Sequence, residues 1–187
     1  MEKVGEVKKQ NKLLEVLTTK TAKLIIGTVL LSGIGVALPR IFHVLAGASA
    51  GATYLPMHIA VLIAAISFGV ISASVVAGSS IIFSYLLTGM PTLQRLPYML
   101  IELVIYAVLL GLLNKKFNSY ISLIATIILG RILYAGVMFA SVNILGLQAY
   151  GISVWESVKM GIPGLILQLI CVPFIASTIK KGMHLDD

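Results

Sequence analysis

The chain has little of what a water-facing protein needs. Only 11% of its 187 residues are charged, against about 25% in a soluble domain, and so little charge cannot cover a hydrated surface. Acids are scarcer than bases, with seven Asp and Glu against fourteen Lys and Arg. The one cysteine, Cys171, excludes a disulfide within the chain and, inside an apolar run, reads as a small buried hydrophobe. Three histidines without acidic or cysteine companions give no metal-ligand spacing. No G-x-x-x-x-G-K-[ST], H-E-x-x-H or G-x-S-x-G occurs, and no acids are paired for hydrolysis. The chain is therefore not expected to be an enzyme or to carry a metal or cofactor. If ATP drives its work, another subunit hydrolyses it.

What the chain has instead is apolar length. It is 58% hydrophobic, with a mean hydropathy of +1.02. At roughly 20 residues per crossing it holds about six membrane helices. The net charge of +7 does not point to nucleic acid, because the bases are not spread over a soluble face. Lys3, Lys8, Lys9, Lys12, Lys20 and Lys23 all precede the first apolar run, and the others sit near loop ends. The N-terminus is too long and polar before that run to read as a cleaved signal.

Residues 1–23 read as a basic, interfacial segment with a weak stripe of Leu13, Leu14 and Leu17. Residues 24–179 form the membrane domain, and 180–187 a polar tail. The expected spans are 24–38, ending at Pro39-Arg40, then 57–76, 81–88 (short unless it begins before Gly78), 97–113, 121–145 and 160–179. Gly78-Ser79-Ser80 is the expected turn between the second and third. The link 39–56 is too apolar for a solvated loop and too rich in small residues for a regular span. It reads as a folded-over segment packed on protein. With both termini in the cytoplasm, ten lysines lie inside, against Arg40, Arg95 and Lys159 outside. The longer links, 39–56, 89–97 and 146–158, then lie on the outer face, where a binding site suits them. The expected fold is an all-α integral membrane protein with six transmembrane helices and a folded-over outer loop between the first two. A short echo, GMPTLQ at 89–94 and GIPGLILQ at 161–168, is too brief to establish an inverted repeat.

Glu102 and Arg131 are the only ionisable residues well inside predicted spans. Charge there costs about 2.5–3.5 kcal/mol on insertion scales and turns to the bundle interior. They are either ligand contacts or a structural ion pair. Tyr98, Glu102 and Tyr106 share one helix face, as do Arg131, Tyr134 and Met138, and two such stripes outline a pocket wall. Tyr98, near a helix end, also fits an interface anchor. His58 stands where the outer loop enters the second span, as a ligand or gate residue, or as one that caps the helix or faces headgroups. Trp155 fits an interface anchor. Asn143 and Gln168 are pocket groups or helix-to-helix glue. Thr28, Ser32, Gly33 and Ala37 give small-xxx-small faces, for packing within the bundle or for docking on another membrane protein.

The series "LPR", "LPMHIAVLIAAISFG", "SYLLTGMP", "MLIELVIYAVLLGLL" and "GIPGLILQLICVPFI" resembles the substrate-binding S components of energy-coupling factor (ECF) vitamin transporters, over nearly the whole chain from residue 24. The resemblance implies a vitamin-capturing subunit in the cell membrane of a bacterium, docked on a T component and two cytoplasmic ATPases that use ATP and Mg. It places the vitamin among Arg95, Glu102, Tyr106, Tyr134, Asn143, Trp155 and Gln168, with 39–56 as the gate. His58, Arg131 and Met90, the last in the loop over the vitamin, complete the candidate set. Family members often dock through A-x-x-x-A on the first helix; here Thr28/Ser32 and Gly33/Ala37 stand instead. Cobalamin is the leading substrate, with pyridoxine or a hydroxymethylpyrimidine next. The alternatives are a self-sufficient proton-coupled carrier using Glu102 and Arg131, and a small membrane enzyme or assembly subunit.

Overall fold

The computed structural model describes residues 2–47, 50–143 and 154–183, with side chains over 19–47, 50–51, 53–143 and 159–183. The described residues are helical almost throughout and form no strand. The elements are α1 (Glu2–Ala46), α2 (Ala50–Tyr54), α3 (Pro56–Phe68), α4 (Val70–Thr88), α5 (Leu96–Leu113), α6 (Ser119–Asn143) and α7 (Val154–Met183). Five stretches are long and apolar enough to cross a membrane: Thr19–Ala46, α4, α5, α6 and Lys159–Met183. This is the architecture of a multi-pass membrane protein.

The expected second span is the exception. Its helix, α3, has 13 residues, about 20 Å at 1.5 Å per residue, short of the ~30 Å hydrocarbon core. Twelve of the 13 are buried. A helix apolar on every side is a core helix, and α3 is the centre of the bundle, packed by α1, α4, α5 and α7. Around it α4 joins α1 to α5, and α6 joins α5 to α7. Lys23 donates to the Met183 carbonyl at 2.8 Å, tying α1 to the end of α7.

Three boundaries differ from expectation. The turn after α3 falls at Gly69, not at 78–80. Gly69 has φ 85° and ψ −172°, a conformation open essentially to glycine alone. Gly78-Ser79-Ser80 lies inside α4, where the Ser79 hydroxyl stands 2.6 Å from the Val75 carbonyl and 2.8 Å from Ser32 Oγ on α1. Small residues there serve the α1–α4 contact rather than a turn. Pro39 does not end α1, which runs on to Ala46; a proline forfeits one intrahelical bond, and membrane helices tolerate that where neighbours compensate.

The link 39–56 resolves into the end of α1 and the short α2, which packs against α7 and α1. Residues 146–153 of the link 146–158, the side chains of the Leu13, Leu14 and Leu17 stripe, and the tail beyond Met183 lie outside the described residues. The α2–α7 contact is close because Gly164 has no side chain: a Cβ there would lie 2.6 Å from the Tyr54 carbonyl oxygen and 2.8 Å from that of Thr53. Backbone cannot yield as a side chain end can. Gly164→Ala is expected to lower stability by about 1–3 kcal/mol, read as a fall in detergent melting temperature. Gly33→Ala, with nothing within 4 Å, should not lower it. Equal melting temperatures for Gly164→Ala and the parent chain would show that α2 does not rest on α7.

Candidate functional site

Four of the predicted residues meet in the bundle interior. Glu102 and Tyr106 come from α5, Arg131 from α6 and His58 from the first turn of α3. Arg131 Nη1 donates to Glu102 Oε1 at 2.8 Å. His58 Nε2 lies 3.6 Å from the same oxygen, beyond hydrogen-bond reach. The His58 ring stands edge-on to Tyr106, 5.3 Å between centroids at 90°, the favourable aromatic arrangement. Relative exposures are 3% for His58, 7% for Glu102, 0% for Tyr106 and 9% for Arg131. The ion pair expected as one alternative is therefore formed, and His58 faces the interior rather than headgroups.

Local sequence places these groups. The Tyr98, Glu102, Tyr106 spacing puts Glu102 and Tyr106 one turn apart on the inward face of α5. Gly130 makes room for Tyr106, whose ring carbons would lie 2.9–3.3 Å from a Cβ on that residue. Pro56 opens α3 at a position where no N–H is needed. Before it, Leu55 has φ 48° and ψ 47°, a left-handed conformation that costs a non-glycine residue about 1–2 kcal/mol.

The cluster leaves donors unused. Among the described residues, buried atoms without a hydrogen-bond partner are His58 Nε2, Tyr106 Oη, Thr126 Oγ1, Arg131 Nε and Nη2, and both amide atoms of Gln168. Buried polar groups are nearly always paired, and four of these seven atoms belong to His58, Tyr106 and Arg131 of the cluster. Gln168, fully buried, lies one helical turn beyond Gly164 on α7.

The other predicted residues are placed differently. Tyr134 is half-buried and within electrostatic range of Glu102, Arg131, Tyr98 and Arg95. It links the cluster towards the start of α5, where Arg95 is exposed. Met90 is 53% exposed. Asn143 is exposed and donates to its own helix at Phe139 O, 2.9 Å. Neither has a polar or ring contact with the cluster. The side chain of Trp155 lies outside the described residues.

The small-residue faces of α1 divide. Thr28 is buried, and its hydroxyl donates to Leu24 O at 2.7 Å. Ser32 meets Ser79 as above, and a Cβ on Gly35 would collide with Ser80 Oγ. Gly33 and Ala37 face outward.

Sequence reasoning missed Thr126, Gly130, Gly161 and Leu55. The i, i+4 spacing of Thr126 and Gly130, just before Arg131, was the available signal for two of them. Nothing in the sequence marks a left-handed leucine. No family model, curated protein or solved structure matches the chain.

Removing one partner of a buried pair leaves the other charge unpaired, at about 3–5 kcal/mol. Arg131→Met should therefore destabilise the chain strongly in detergent melting, while Arg131→Met with Glu102→Leu should recover much of the loss. Strictly additive effects would show that the two side chains are not coupled.

Proposed function

We propose that the chain is a membrane-embedded solute-binding subunit of the ECF S-component type. It would capture a vitamin from outside and pass it inward with a T component and two ATPases. The observation that carries the reading is the buried His58, Glu102, Tyr106 and Arg131 cluster with its unpartnered donors. Such groups are costly inside a membrane protein and, by default, mark a functional site. The series Arg95, Tyr98, Tyr134 gives that cluster a polar approach from the start of α5. Gly33 and Ala37, rather than Thr28 and Ser32, are left to meet a partner helix.

Among the candidate vitamins, cobalamin leads, with pyridoxine or a hydroxymethylpyrimidine next. The test is mass spectrometry of small molecules released from the purified, denatured chain, followed by calorimetric titration. Recovery of a vitamin near one per chain, with tight rebinding, is the expected result. No released molecule and no heat with any vitamin would overturn the reading.

One observation favours a second reading. An imidazole 3.6 Å from a buried carboxylate is a pair through which a self-sufficient carrier could pass protons. That carrier would drive uptake into liposomes without ATP, and Glu102→Gln would abolish it.

A further inference from the structure

The ring of long helices around α3 is not closed on every side. α1 packs on α2, α3 and α4, and α7 on α2, α3 and α6, but among the described residues α1 and α7 share no packed interface. At one end of this seam α2 bridges the two helices. At the other the described bridge is the bond from Lys23 Nζ to the Met183 carbonyl, 2.8 Å. α3 is the floor between them: a Cβ on Gly27 of α1 would collide with the Phe68 ring, and Ser67 Oγ lies 3.5 Å from the Ala176 carbonyl of α7. The flanks near the Lys23 end are apolar. Ile26 and Leu30 lie on the Lys23 side of α1 and are both 58% exposed. Ile179, one turn before Met183, is half-buried.

Cations gather at that end. Lys180 and Lys181 stand in the last turn of α7 beside Met183, and Lys23 stands at the start of the apolar stretch of α1. Both stretches end here, so these ammonium groups lie where hydrocarbon gives way to headgroups. Lys23 spends one of three donors on Met183, and the α7 C-terminus offers only about half a negative charge. Among the described side chains the one acid is Glu102, which is paired with Arg131. Over the whole sequence, the adjoining segments 1–23 and 180–187 hold eight lysines against five acids. In a bilayer some lipid must cover the seam, and the lysines decide which. A phosphate accepts from the ammonium groups while an acyl chain covers Ile26 and Leu30. A soluble anion satisfies only the lysines. A zwitterionic lipid carries its own cation beside the phosphate. We infer that the Lys23, Lys180 and Lys181 end of the α1–α7 seam binds an anionic phospholipid, with its headgroup on the lysines and an acyl chain in the seam. This inference is independent of the solute-binding reading.

The test is native mass spectrometry of the full-length chain in detergent, titrated with dioleoyl phosphatidylglycerol and dioleoyl phosphatidylcholine, which share their acyl chains and differ in charge. The expected result is a first phosphatidylglycerol bound in clear preference to phosphatidylcholine. A lysine near an anionic lipid surface is worth about a five-fold change in affinity. Lys180→Gln with Lys181→Gln should therefore weaken that first lipid by at least about ten-fold. Lys115→Gln with Lys116→Gln removes the same charge after α5, which packs on α3, α4 and α6 and not on the seam helices. It should change the first lipid's affinity by less than about two-fold. Lys181→Gln alone, at an exposed position, keeps the test decisive if the double variant fails to fold, with about a five-fold loss. Glycerol phosphate, the headgroup without chains, should not displace the lipid at equal concentration. Equal retention of the two lipids overturns the inference. So does equal weakening by the two double variants, which marks a diffuse effect of charge. Displacement by glycerol phosphate overturns it too, since the site would then be one for soluble anions.

Discussion

A charge inside hydrocarbon has no water to turn to, and the Glu102–Arg131 contact is how this chain meets that constraint. The pair joins α5 to α6 across the bundle interior at 2.8 Å. In a low dielectric such a bond demands good geometry, because misplacing either partner exposes the full desolvation cost of both. Much of the neighbouring sequence can be understood as serving it. Gly130, next to Arg131, has no side chain, so the Tyr106 ring packs against α6 beside it. α3 supplies His58 from the third side.

The same constraint explains α3. A helix whose faces are all apolar cannot lie at a water boundary, and α3 is too short to serve as a span. Surrounded by α1, α4, α5 and α7, it needs neither boundary. Its ends are made by two residues with positive φ, Leu55 at 48° and Gly69 at 85°. They allow the chain to turn sharply into and out of the core without spending residues on solvated loops.

The parts legible in the sequence were those in which one signal stood alone. Pro97 and the NKK stretch bracketed α5 to within a residue or so. The two lone charges in apolar runs identified the buried pair, and the i, i+4, i+8 stripe identified the inward face of α5. The parts not legible were those in which composition is silent about geometry. Gly69 sits in an unbroken apolar run, so nothing distinguishes a glycine that breaks a helix from one that packs in it. Gly78-Ser79-Ser80 has the composition of a turn, yet helical serines can return their hydroxyls to the preceding turn. In the bundle those small side chains let α1 and α4 approach. Pro39 misled for a related reason, since a membrane helix can absorb a missing N–H that would end a water-exposed one. Met90 was expected in the loop over the ligand and Asn143 as a polar group at membrane depth. A helix-end polar group satisfied within its own helix, as Asn143 is, looks the same in sequence as one in a pocket.

The strained leucine connects these points. A left-handed conformation in a bulky residue persists only where the surroundings over-determine it. Leu55 is held between α2, which rests on the bare backbone of Gly164, and Pro56, which starts α3. Its side chain lies by Gly161, on the α7 turn that faces Arg131. His58 follows three residues later. The position of the imidazole is thus tied to α7 through Leu55 and to α5 through Tyr106, while the guanidinium is tied to α5 through Glu102 and faces α7 with its free edge. Each side chain of the cluster is located from two directions. An arrangement held in that way keeps its unpartnered donors in place instead of letting them collapse onto one another.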